Sequence, residues 1–161
     1  MFNFLKRKNI EAKQFCSVVN GKSIDLSEVK DEMFSQKLLG DGIAVIPNCD
    51  NFVSPCNGKI TMIAESKHAI AIENFDGLQV LIHIGLDTVK LNGEGFDILC
   101  KEGDFVKIGT LLAKVDRQFL REKNIEDITM MIIIEENGHK IESQNIGSNA
   151  IAGETVLIKY E

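Results

Sequence analysis

With 161 residues, 44% hydrophobic and 26% charged, the chain has the length and mixture of one compact domain with its own core, which excludes a disordered polymer and a disulfide-held miniature. A net charge of -6 argues against nucleic acid as a partner, since phosphate backbones call for clustered Lys and Arg and the run Lys6-Arg7-Lys8 is short. No stretch approaches the ~20 apolar residues of a membrane-spanning helix.

Residues 1–12 read as a flexible tail. Phe2, Phe4 and Leu5 beside Lys6, Arg7 and Lys8 suit a small amphipathic helix on a membrane surface or, more simply, a frayed terminus. The charges follow the apolar residues and no apolar run comes after them, so the segment is not a secretory signal. Cys16, Cys49, Cys56 and Cys100 form no C-x-x-C pair and read as free, mostly buried thiols in a reducing cytoplasm.

From residue 13 onward the pattern is strands. Residues 42–47 form an apolar run closed by Pro47, and 58–64 and 68–73 alternate. Residues 78–84 are almost continuously apolar at strand length, and 111–115, 129–134 and 155–160 follow, with Gly, Asn and Asp between them. Short helical turns fit 27–38 and 117–124, where charged and apolar residues mix without alternation. The fold class expected is all-β, an antiparallel sandwich or flattened barrel with a few short helical turns.

The chain also repeats itself. Residues 15–22 and 52–59 share F-x-S-x-x-N-G-K, and Gly103 to Gly109 and Gly147 to Gly153 share a spacing ahead of apolar runs. Two related halves packed face to face would explain both pairs.

The segment 68–83 carries the chemistry. Asn74-Phe75-Asp76-Gly77 is a turn-forming quartet, and pairing Glu73 with Leu78 across it sets His68 opposite His83, Cβ atoms ~4.5–5.5 Å apart. A slip of one residue would send the two rings to opposite faces. His83 lies inside Val80-Leu81-Ile82-His83-Ile84, where a lone histidine is usually a hydrogen-bonded core residue. A second histidine facing it points elsewhere: two imidazoles bind a metal, or one accepts a phosphoryl group while the other donates to its oxygens. Gly85 lets backbone approach the ring, and Asp87 and Thr88 offer polar groups nearby. His139, in the polar run 135–140, reads as an exposed turn residue.

Leu81-Ile82-His83-Ile84-Gly85-Leu86-Asp87-Thr88-Val89 resembles the active-site signature of the glucose-type enzyme IIA of the bacterial phosphoenolpyruvate:sugar phosphotransferase system. Lys67-His68-Ala69-Ile70 is similar to its second-histidine motif, and Leu39-Gly40-Asp41-Gly42-Ile43-Ala44, 53–60, Leu91-Asn92-Gly93-Glu94-Gly95-Phe96 and 153–155 match further motifs, in order, over roughly residues 15–160. The resemblance implies a β-sandwich built from a duplicated motif, here over residues 13–161. It implies a cytoplasmic phosphotransferase component, monomeric by default, that meets the membrane only through its permease. His83 would take a phosphoryl group on Nε2 from the phosphocarrier HPr and pass it to a cysteine of a IIB domain of a sugar permease, with His68 steadying the phosphoryl oxygens. Ser66 stands where some relatives have Thr, and Thr88 lies on the motif supporting the histidines. Partners would dock on Met33, Phe34, Val80 and Leu81, rimmed by Asp31 and Asp87. No cofactor is required; some members bind zinc between the two histidines, here His68 and His83, only in complex with another protein. Such proteins also control other enzymes or permeases according to phosphorylation state. Two alternatives stand beside this. A zinc hydrolase on a related sandwich needs three ligands and commonly an H-x-H element, but residue 85 is Gly. A biotinyl or lipoyl carrier fits the hairpin-like 102–112, which lacks the usual Met-Lys-Met or Asp-Lys-Ala context.

Overall fold

The computed structural model describes residues 12–161, so the tail expected at 1–12 lies, but for its last residue, outside the described residues. These form β1 (Gln14–Cys16), β2 (Gly21–Asp25), β3 (Gly42–Pro47), β4 (Asn51–Val53), β5 (Gly58–Ile63), β6 (Ala69–Asn74) and β7 (Gln79–Ile84). β8 (Phe96–Ile98), β9 (Phe105–Val106), β10 (Leu111–Val115), β11 (Thr129–Glu135), β12 (Ile141–Gln144), β13 (Asn149–Ala150) and β14 (Val156–Tyr160) complete the strands. The helices are short: α1 (Glu32–Ser35), α2 (Arg117–Glu122) and single 3-10 turns at Leu26–Glu28 and Thr88–Leu91. Asp31 caps α1 by accepting from the Met33 N–H (3.0 Å), and Asp116 caps α2 by accepting from Phe119 (3.0 Å), which starts each helix where the expected turns lie.

Every strand pairs antiparallel. One sheet runs β13-β2-β3-β11-β7-β6-β5-β9, and two three-stranded sheets run β1-β14-β12 and β4-β10-β8. The fold is therefore the all-β sandwich that the spacing of strand runs predicts. The main core lies against one face of the large sheet and holds Ile43, Ile70, Ile72, Val80, Ile82, Ile84, Met131 and Ile133 together with Phe15, Phe52 and Leu157 of the smaller sheets. The other face carries a second cluster of Leu26, Val29, Phe34, Ala44, Ala69, Ala71, Leu81, Leu86, Met130 and Ile132, roofed by α1 and the turn before it. Both faces of β7 and β11 are thus covered, which is why their sequences read as continuous apolar runs.

The repeats in the sequence are repeats in space. The Ser17 hydroxyl donates to the Val19 carbonyl (2.7 Å) just as that of Ser54 donates to Cys56 (2.6 Å). Asn20 accepts from Ala152 N–H (2.7 Å) as Asn57 accepts from Ile108 N–H (2.8 Å). Between the halves, Cys16 N–H donates to the Pro55 carbonyl and Val53 N–H to that of Val18. Gly109 and Gly153 meet where the halves cross, too close for a side chain on Gly153.

Candidate functional site

His83 sits on the second-cluster face of β7, beside Leu81 along the strand and across from Ala69 of β6. The expected register is off by one residue. Glu73 pairs with Gln79 rather than with Leu78, because Asn74 closes the turn from both ends: its side chain accepts from Asp76 and Leu78 N–H (3.1 and 3.0 Å), and its own N–H donates to the Leu78 carbonyl (3.0 Å). His68 therefore lies opposite Ile84, whose N–H donates to the His68 carbonyl (2.8 Å). Inside a regular ladder that slip would separate the rings. Instead β6 begins only at Ala69, and the chain before it turns through Lys67 at φ +64°, so His68 is free of the sheet's alternation. Its ring stands 4.9 Å from that of His83, edge to face at 79°.

The His83 ring is held from three sides. Its Nδ1 lies 3.0 Å from the Gly85 carbonyl, which can only accept, so Nδ1 carries the proton and Nε2 keeps a free lone pair. The Phe34 ring is 4.9 Å away, and the His68 edge closes the third side. Gly85 adopts φ +79°, and a Cβ there would collide with the Thr88 methyl and the Glu126 carbonyl. The buried Thr88 hydroxyl donates to the Ile84 carbonyl (2.7 Å), fixing the end of β7. Burial, then the neighbouring His68, push the His83 pKa down to about 4, against an upward pull from the Gly85 carbonyl and the Asp31 carboxylate. His68 is also shifted down, by burial, with the Ser66 backbone carbonyl opposing. His68 Nδ1 is buried and has no hydrogen-bond partner.

The remaining expected residues divide. Asp31 and Met33 open α1 at this face, and Met33 is 48% exposed. Phe34 and Leu81 belong to the second cluster and form the wall behind His83. Val80 must be corrected: it is 0% exposed in the main core, on the opposite face of β7, because adjacent strand residues point opposite ways. Asp87, exposed, begins the Thr88–Leu91 turn at φ +60° and meets Lys90 only at 4.0 Å. Ser66 is half-buried just before His68. Val89, exposed directly after Asp87 and Thr88, was not picked out from sequence, although an apolar residue beside a cap was the available signal. His139 does lie in a turn, but the Tyr160 ring covers it at 5.4 Å.

The two imidazoles supply half of a tetrahedral zinc site, and among the described residues no group of three or more His, Cys, Asp or Glu is placed to hold a metal. The site does not fit a resident zinc; further ligands would have to come from another molecule. Depressions of about 450 and 500 Å³ elsewhere on the surface include neither histidine. Among the described residues no helix is long and apolar enough to cross a membrane.

Residues 13–139 match the family described as phosphoenolpyruvate-dependent sugar phosphotransferase system, EIIA 1. The chain is 45% identical over 140 residues to the glucoside-specific EIICBA component of the Staphylococcus carnosus phosphotransferase system, 87% of this chain and 20% of that one. It is 41% identical over 141 residues to the glucose-specific EIICBA component of the same organism, 88% of this chain and 21% of that one. It thus spans about a fifth of the length of these curated relatives. Among solved structures it superposes on the glucose permease IIA of Mycoplasma capricolum with a TM-score of 0.84 at 32% identity, covering 90% of this chain and 93% of that one.

Proposed function

The chain belongs to the EIIA 1 family of the phosphoenolpyruvate-dependent sugar phosphotransferase system, and on that premise we propose that residues 13–161 are a phosphocarrier domain working through His83. The donor is the phosphohistidine of HPr and the acceptor a cysteine of a IIB domain. The observation that carries this reading is the bond from His83 Nδ1–H to the Gly85 carbonyl, which leaves Nε2 unprotonated beside a second imidazole.

The steps balance. The Nε2 lone pair forms a new P–N bond as the donor's P–N bond breaks and its imidazole leaves with that electron pair. Positive charge passes from the donor ring to the His83 ring, whose Nδ1–H stays on Gly85, so no proton has to move. A thiolate of the IIB domain then attacks phosphorus, the P–N bond breaks, and His83 returns neutral. The protein's part is positioning and charge stabilisation. His68 supports the phosphoryl oxygens, Thr88 holds the end of β7 beside the His83 ring while the Ser66 backbone carbonyl faces His68, and Asp31 stabilises a charged His83 ring. Met33, Phe34, Leu81 and Val89 offer an apolar dock, with Asp31 and Asp87 meeting basic partner residues at its rim. The domain acts as a monomer in the cytoplasm and joins the membrane through its permease. Sugar choice lies with that permease, in keeping with similar identities to a glucoside-specific and a glucose-specific relative.

Incubation with radiolabelled phosphoenolpyruvate, enzyme I and HPr, followed by peptide mapping, tests the reading. Acid-labile label is expected on the His83 peptide and absent from His83→Ala; label retained by that variant refutes the assignment.

A further inference from the structure

We propose that Arg117 and Asp127 form a positioning pair for His83, holding the backbone that keeps the Gly85 carbonyl on His83 Nδ1–H. The inference rests on the reading of His83 as phosphoryl acceptor.

Arg117 is a cation with 13% of its side chain exposed, and none of the chemistry above uses it. Its Nε donates to Asp127 (2.8 Å), its Nη2 to the Pro47 carbonyl (2.9 Å), and its Nη1 faces Asp50 at 3.5 Å. One guanidinium fork thus ties the start of α2 to the end of β3 and to the loop before β11. A sequestered charge of this kind is costly unless paired, so its geometry is held firmly.

Asp127 lies between the two residues that grip the site. The Glu126 carbonyl accepts from Leu86 N–H (3.0 Å), and the Ile128 carbonyl accepts from Gly85 N–H (2.8 Å). The Asp127 carbonyl itself is taken by the Thr129 hydroxyl (3.0 Å). The Glu126 carbonyl also fills the space where a side chain on Gly85 would lie. A glycine at φ +79° has little intrinsic preference for one peptide orientation, so these outside contacts aim its carbonyl. The Gly85 carbonyl is in turn what selects the His83 tautomer. The path from Arg117 to the reacting nitrogen therefore runs through Asp127, the Glu126 and Ile128 carbonyls, and Gly85.

A pair that merely stapled the fold would lower the melting temperature and leave the His83 ring as it is. Nitrogen-15 spectra of the histidine rings separate the cases, because protonated and unprotonated ring nitrogens resonate far apart. In the wild-type protein His83 is expected as a single tautomer, protonated at Nδ1. In Arg117→Met the ring pattern should move toward a mixture of tautomers, and single-turnover labelling at saturating phospho-HPr should slow by up to about 100-fold, the scale of a misplaced reacting group. Arg117→Lys keeps the charge but loses the fork, and should fall between. If Arg117→Met does not fold, Arg117→Lys and Asp127→Asn carry the same comparison. Folded variants whose ring pattern and saturating rate equal the wild type within about twofold overturn the proposal. Wild-type protein that takes no label on His83 refutes the phosphocarrier reading instead, and the ring spectra still decide whether the pair sets the tautomer.

Discussion

A nucleophilic imidazole must be neutral when its partner arrives, and the surroundings of His83 impose that. Burial and the adjacent His68 ring lower its pKa to about 4, well below the ~6.5 of a free histidine. Between those values the unfolded chain binds a proton at this position and the folded chain does not. Stability contributed here is therefore complete above pH ~6.5 and is lost as pH falls toward about 4, where the folded ring also protonates. A proton NMR titration of the folded protein should give a His83 midpoint near 4. In His68→Gln the midpoint should rise, since a repulsive neighbour is gone, yet stay below ~6.5 because burial persists. A wild-type midpoint at the free value would mean that the ring is solvated and that this account of its reactivity fails.

At the scale of the element, the hairpin β6–β7 and the bend at Gly85 decide whether the rings meet. Two histidines on one hairpin, a turn at 74–77 and a Gly85 that lets backbone approach the ring were all legible in the sequence. The register was not, because the Asn74 side chain reaches two amides and shortens the loop, a contact that hydrophobic periodicity does not encode. The rings meet for a different reason, the break in the strand before Ala69. Gly85 gives the test at this scale. Gly85→Ala faces a left-handed backbone, about 1–3 kcal/mol by itself, and a collision with Thr88 and the Glu126 carbonyl besides. Thermal unfolding should show that loss, and labelling of the protein still folded should be slowed as the carbonyl is displaced. Gly103→Ala is the control: its φ is +92°, but no atom crowds the added Cβ, so it should lose some stability and keep normal labelling.

Across the whole molecule the scaffold is two-fold while the chemistry is not. The large sheet is symmetric about the β11–β7 pair: Ile132 of β11 lies across from Gly42 of β3, as His83 of β7 lies across from Ala69 of β6. Ile133 N–H donates to the Asp41 carbonyl (2.9 Å) as Ile84 N–H donates to that of His68 (2.8 Å). The positions of His83 and His68 are thus occupied in the other half by Ile132 and Asp41. The short repeats made this duplication legible, since each repeats the same turn chemistry. The assignment of Val80 to a surface failed because a strand covered on both faces shows no alternation. The role of Arg117 was not legible because its guanidinium reaches back to the Pro47 carbonyl, far away in the chain. The internal comparison yields a prediction about what the histidine costs. Ile132 is fully buried in the second cluster at the equivalent place, whereas His83 sits in a site that resists its charged form. A β-branched apolar residue suits a strand flanked by Leu81, Phe34 and Ala69 better than an imidazole does. His83→Ile should therefore fold with a melting temperature equal to or above the wild type, by about 2–4 °C for each kcal/mol gained, while accepting no phosphoryl group. That is the pattern of a residue kept for function against stability. A marked loss of thermal stability in His83→Ile would instead make the ring a structural support of the hairpin, and the two halves would differ in packing as well as in chemistry.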